Sequence, residues 1–100
     1  MELEKVKNKV KEVIQKAQEN YFEGKDKVAY VILAWPTDNN KNGTFLLEKW
    51  PYCDDIDLCY SPEAAGFSDL GTTLGSVSTE YFNLECLASL IKTMYDAYVG

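Results

Sequence analysis

The segment Trp50-Pro51-Tyr52-Cys53-Asp54-Asp55-Ile56-Asp57-Leu58-Cys59-Tyr60 holds the densest set of side chains suited to recognition chemistry. Three carboxylates, Asp54, Asp55 and Asp57, stand among one tryptophan and two tyrosines. Glu63 and Asp69 follow and extend the negative field. Carboxylates pair with arginine or lysine, and tyrosine and tryptophan offer large, rigid contact areas on which a guanidinium can stack. The residues expected to touch a cationic partner are therefore Trp50, Tyr52, Asp54, Asp55, Asp57 and Tyr60, with Glu63 and Asp69 as rim charges. The same acids also suit a plainer role as solvated loop residues. Their mutual repulsion, a few tenths to ~1 kcal/mol, is tolerable without any function.

Other chemistries find less support. Asp55 and Asp57 share one face if this stretch is extended, and two carboxylates can hold Mg²⁺ with help from a substrate phosphate. No calcium loop of the D-x-[DN]-x-[DN]-G type accompanies them. Zinc would need all three thiolates, Cys53, Cys59 and Cys86, plus a carboxylate, because the chain has no histidine. The Cys53–Cys59 spacing is not that of a zinc knuckle. A serine or cysteine nucleophile lacks the usual histidine base. Gly71-Thr-Thr-Leu-Gly75-Ser76 lacks the Gly-Lys-[Ser/Thr] element of a phosphate loop. No catalytic residue, metal ligand or cofactor site is assigned.

The charge distribution points the same way. Of the 10 lysines, nine lie in residues 1–50 beside eight acids, a net charge of +1 for that half. Residues 51–100 hold eight acids and Lys92 alone, a net charge of −7. There is no arginine. Such a balance disfavours direct nucleic-acid binding and favours a positively charged partner. The lysines Lys5, Lys7, Lys9 and Lys11 fan around the polar side of a helix and read as a solvated face. An odd number of cysteines fits reduced thiols in a cytoplasmic protein. No apolar run reaches the roughly 18–20 residues a membrane span requires, and the charged first helix does not resemble a signal peptide.

Elements must position these residues. Leu3, Val6, Val10, Val13, Ile14, Ala17 and Tyr21 recur at helical spacing, predicting a helix over residues 2–22, with Gly24 as its stop. Glu12 and Lys16 are placed for an i,i+4 pair. The unbroken apolar run Val28–Trp35 predicts a strand covered on both faces, ended by Pro36. Asn42-Gly43 and residues 44–50 supply a turn and a partner strand. A longer loop over 37–43, which sets Leu33 opposite Leu47 and Tyr30 opposite Trp50, is favoured over a two-residue turn that sets Trp35 opposite Trp50. Residues 56–60 form a candidate third short strand. Residues 61–78 read as a long loop. Ser78 is the expected N-cap of a second helix over 79–98, whose apolar side is Leu84, Leu87, Leu90, Ile91, Met94 and Tyr98, with core packing expected for Tyr81, Phe82 and Tyr95 as well.

The expected fold is a single α+β domain over residues 1–100: helix, antiparallel hairpin, long loop, helix, with both helices on a small sheet. The first strand, 28–35, then needs cover on its second face, which self-association as a homodimer, a partner or the long loop would supply. The expected function is that of a small acidic, non-enzymatic binding protein. It would inhibit or neutralise a basic protein partner, such as a nucleic-acid enzyme, in the manner of immunity proteins, antitoxins or phage inhibitors that mimic nucleic-acid charge. Two alternatives stand beside it. One is a small-molecule-binding or small enzymatic domain with a carboxylate-lined pocket under loop 61–78. The other is a subunit of a larger assembly.

Overall fold

The computed structural model describes residues 1–62 and 71–100. The fold is α+β, in the order α1 (Leu3–Phe22), β1 (Ala29–Ala34), α2 (Pro36–Asn39), β2 (Thr44–Lys49), β3 (Asp55–Ser61), β4 (Thr72–Ser78) and α3 (Leu84–Val99). The strands form one antiparallel sheet in sequential order, so β1 and β4 are its edges. Helix α1 packs on β1 and β2, α3 packs on β3 and β4, and the two helices touch each other.

Helical periodicity explains α1. Val6, Val10, Val13 and Ala17 are fully buried at 3/4 spacing. Gly24 ends the helix in the left-handed conformation at φ 70. Its N–H donates to the Tyr21 carbonyl at 3.1 Å, and the Lys25 N–H donates to the Asn20 carbonyl at 2.8 Å, as in a Schellman stop. Tyr21, expected on the buried stripe, is exposed. The cause is length: a helix of 20 residues runs about 30 Å, whereas the six-residue strand beneath it runs about 20 Å. The last turn of α1 therefore overhangs the sheet. Glu12 pairs with Lys9 at 3.7 Å, one turn back, and not with Lys16.

The β1–β2 connection is a longer loop built around α2. Its hub is the buried Asn39, whose amide donates to the carbonyls of Trp35 at 2.8 Å and Gly43 at 3.4 Å. Its side-chain oxygen accepts the Lys41 N–H at 2.7 Å. The register sets Val31 opposite Leu47 and Tyr30 opposite Glu48, two residues from the expected pairing. A shift of two preserves every side chain's face, so the apolar pattern is satisfied by either register.

The segment 72–78, expected as loop, pairs with β3 as a fourth strand. It is an edge strand of threonine, serine and glycine, with only Leu74 and Val77 turned to the core. Gly75 lets the strand approach α3 closely, where a Cβ would meet the Met94 thioether. The second helix begins at Leu84, not at residue 79. Ser78 is held in the sheet opposite Asp55, and Asn83 caps the helix by accepting the Cys86 N–H at 2.9 Å. As a result Tyr81 and Phe82 lie outside the helix and are exposed, not core. Leu90 and Tyr98 are also partly exposed, while Leu87, Ala88, Ile91 and Tyr95 are buried. Phe45 centres the core's aromatic cluster, with Tyr95 at 4.9 Å and Tyr60 at 5.1 Å between ring centroids. No helix among the described residues is long and apolar enough to cross a membrane.

Candidate functional site

The period-two alternation of β3 divides the acidic segment between two faces. Ile56, Leu58 and Tyr60 point toward the helices, where Ile56 and Leu58 are fully buried and Tyr60 stacks against Phe45 and Tyr98. Asp57 and Cys59 therefore point to the opposite, outer face, and Asp55 continues the same alternation. Tyr60 is thus not on the face that carries Asp55 and Asp57.

Strand pairing builds two rows across the outer face. Tyr30, Glu48, Asp57 and Ser76 lie side by side on successive strands. Ile32, Leu46, Cys59 and Thr73 form the next row. In the first row two carboxyl groups, Glu48 and Asp57, are direct cross-strand neighbours. Ser76 Oγ donates to Asp57 Oδ1 at 2.5 Å. Partial burial and then the hydrogen bond and charge of Asp57 raise the Glu48 pKa above the ordinary carboxylate value. In the second row Leu46 and Cys59 are buried, and Cys59 Sγ lies 3.8 Å from Thr73 Oγ1. Burial, reinforced by the Glu48 charge, pushes the Cys59 thiol up to about 12. A thiol so held is protonated at neutral pH and is no nucleophile.

Among the described residues no basic side chain neutralises this surface. The ion pairs of the described residues are Lys7–Glu85, Lys9–Glu12, Lys25–Glu23 and Lys92–Asp96, and none involves Glu48, Asp54, Asp55 or Asp57. The neighbouring Lys49 ammonium donates to the carbonyls of Trp50 at 3.2 Å and Cys53 at 2.9 Å. It thereby braces the β2–β3 turn instead of pairing with a carboxylate. The turn is fixed from its other side by Thr79, whose N–H and hydroxyl both donate to the Asp54 carbonyl, at 2.8 and 2.7 Å.

That turn presents Trp50, Tyr52 and Asp54, all exposed. The Tyr52 ring meets Tyr21 of the overhanging α1 edge-on at 5.5 Å, and Tyr21 meets Phe22 at 5.6 Å. The structure therefore brings Trp50, Tyr52, Asp54 and Asp55 to one end of the sheet and Asp57 to its outer face, and it places Tyr60 under the helices. Glu63 and Asp69 lie outside the described residues, as does the 63–70 part of the proposed pocket segment 61–78. A cleft of about 290 Å³ lies between the end of α1 and the start of β1, with Lys16, Lys25 and Lys27 on its wall beside Glu19 and Asn20. Among the described residues no three His, Cys, Asp or Glu side chains converge as a metal site would require.

Sequence reasoning missed Glu48, Tyr21, Phe22, Tyr81 and Phe82. Glu48 becomes visible once the turn 50–54 is closed, because that closure alone sets it against Asp57. No protein-family model, curated protein or solved structure matches this chain.

Proposed function

We propose that this chain is a non-enzymatic binding protein that neutralises a basic protein partner by covering a positively charged site. The observation that carries this reading is the unneutralised carboxylate surface formed by Glu48 and Asp57, with Asp55 and Asp54 beside them. Two carboxyl groups set against each other on a partly desolvated sheet face raise one another's free energy. A partner's arginine or lysine relieves that repulsion and gains charge-assisted hydrogen bonds. A net charge of −6 adds long-range steering to such a partner. Mimicry of nucleic-acid charge at the groove of a nucleic-acid enzyme fits the same chemistry, as in immunity proteins, antitoxins and phage inhibitors.

Two further features belong to this reading. β1 is an edge strand of Ala-Tyr-Val-Ile-Leu-Ala, without a charged residue to discourage pairing, and it suits edge-to-edge association of two copies. Three free thiols suit the reducing cytoplasm. The test is affinity capture from native lysate at low salt, with the triple substitution Asp54→Asn, Asp55→Asn, Asp57→Asn as the comparison. Recovery of a basic protein that salt elutes, and that the triple variant loses, supports the proposal. Undiminished recovery by the triple variant sinks it.

A further inference from the structure

Exposed aromatic rings are not scattered over this molecule. Antiparallel pairing places the end of α1, the start of β1, the β2–β3 turn and the β4–α3 link at the same end of the sheet. Among the described residues, six of the ten large apolar side chains that are exposed sit there: Tyr21, Phe22, Trp50, Tyr52, Tyr81 and Phe82. Phe22 is 82% exposed, Tyr81 76% and Tyr52 64%. At about 200 Å² per ring, the six together expose on the order of 700 Å², close to the ~800 Å² that one partner contributes to a standard interface.

The end is also built. The Tyr21–Tyr52 contact joins α1 to the β2–β3 turn, and the Thr79–Asp54 bonds join that turn to the β4–α3 link. Its charge defines the occupant. Glu23, Asp26, Asp54, Asp55 and Glu80 are all exposed here. Of the ammonium groups at this end, Lys25 is paired with Glu23 at 2.7 Å, Lys49 is bound to carbonyl oxygens, and Lys16 and Lys27 stand on the wall of the cleft between α1 and β1, so the acids still outnumber the unpaired lysines.

We infer that this end is a docking surface for an arginine-bearing segment of a protein partner. The inference rests on the proposal that the partner is basic, and it adds which cation is read and by which residues. A guanidinium is planar, stacks on tyrosine, tryptophan and phenylalanine faces, and offers its edge to carboxylates in the same pose. A lysine ammonium is a point charge that can sit over a ring, as Lys41 does over Tyr98 at 5.5 Å, but it cannot stack flat on the ring and offer its edge to a carboxylate in one pose. A second copy of this chain brings the same acids against these, and an anionic lipid surface is repelled by them.

The probes are two short labelled peptides of equal charge, alternating glycine with arginine or with lysine, titrated against the full chain by fluorescence anisotropy. The arginine peptide is expected to bind roughly five- to tenfold more tightly. Phe22→Ser, Tyr52→Ser and Tyr81→Ser together are expected to erase that gap, while Asp54→Asn with Asp55→Asn weakens both peptides alike. Phe22→Ser alone, at the most exposed ring, narrows the gap and serves where the triple variant folds poorly. Equal binding of the two peptides, lost in the acid variant, overturns the inference and leaves the basic-partner proposal standing. Failure of both peptides to bind overturns both. A concentration-dependent mass abolished by Phe22→Ser assigns the end to self-association and overturns the inference.

Discussion

Glu48 of β2 and Asp57 of β3 are cross-strand partners on the face of the sheet away from the helices, and no ammonium group among the described residues lies against either. Like charges set opposite on adjacent strands destabilise a sheet. The neighbouring Ser76 hydroxyl relieves only Asp57.

The pH dependence of stability follows from this pair. Burial and Asp57 raise the Glu48 pKa in the folded chain. A group with a raised folded pKa binds its proton more tightly in the native state. Its stabilising contribution is complete below the unfolded value, about 4.3, and is lost as pH rises through the folded value. Glu48→Gln removes the penalty. Relief of one like-charge cross-strand pair is worth roughly 0.2–1 kcal/mol, a rise in Tm of about 1–6 °C at pH 7. The rise should disappear by about pH 4. Thermal unfolding of both proteins across pH 3.5–8 by circular dichroism (about four pH units around the Glu value) checks it. A gain of equal size at acid and neutral pH contradicts the electrostatic origin.

The three cysteines should react in two classes. Cys53 and Cys86 are exposed, whereas Cys59 is buried with its thiol pushed up to about 12. Iodoacetamide under native conditions is expected to label Cys53 and Cys86 and to spare Cys59, which reacts only on unfolding. Peptide mass mapping reads the outcome directly. The same raised thiol predicts a loss of stability in alkali, beginning above its unfolded value of about 8.5. Cys59→Ala removes that part of the alkaline transition.

How much of this was legible beforehand depended on whether the signal was local. Val6, Val10, Val13 and Ala17 announce α1 by spacing alone, and the apolar run of β1 announces a strand. β4 was hidden because an edge strand of Thr-Thr-Leu-Gly-Ser-Val-Ser carries little apolar alternation. Ser78 and Asn83 are both good N-caps. The choice between them is made by the pairing of Ser78 with Asp55, and it decides whether Tyr81 and Phe82 are core or surface. The separation of Tyr60 from Asp55 and Asp57 was readable from strand alternation once 55–61 is a strand, but nearness in sequence grouped them. The Glu48–Asp57 pair needed the register of β2 on β3, which no local pattern contains.

The β1–β2 connection should depend on one amide. Asn39 is 2% exposed and satisfies two carbonyls and one N–H. Asn39→Ala leaves these groups without that partner, at a cost of about 1–3 kcal/mol. Asn39→Asp removes the donor and buries a carboxyl against two carbonyl oxygens, so it should cost more. Urea unfolding at neutral pH ranks the two variants. A variant pair equal to the parent contradicts the role of Asn39 as hub.

Two glycines distinguish rigid from yielding neighbours. A Cβ at Gly43 meets the Ser61 backbone carbonyl and the Tyr60 ring. The carbonyl is held by the β2–β3 pairing, and Tyr60 is stacked on Phe45 and Tyr98, so neither retreats cheaply. A Cβ at Gly75 meets only the Met94 thioether, whose flexible side chain can swing aside. Gly43→Ala is therefore expected to cost about 1–3 kcal/mol, while Gly75→Ala should cost under about 1.5 kcal/mol, in the range of tolerated core adjustments. Met94→Ala in the Gly75→Ala background should recover the part due to overlap, and no single side-chain truncation should do so for Gly43→Ala, because its nearest contact is backbone. Chemical denaturation of the parent and the three variants measures the order. If Gly75→Ala proves the more damaging, α3 is held on the sheet too rigidly for Met94 to move.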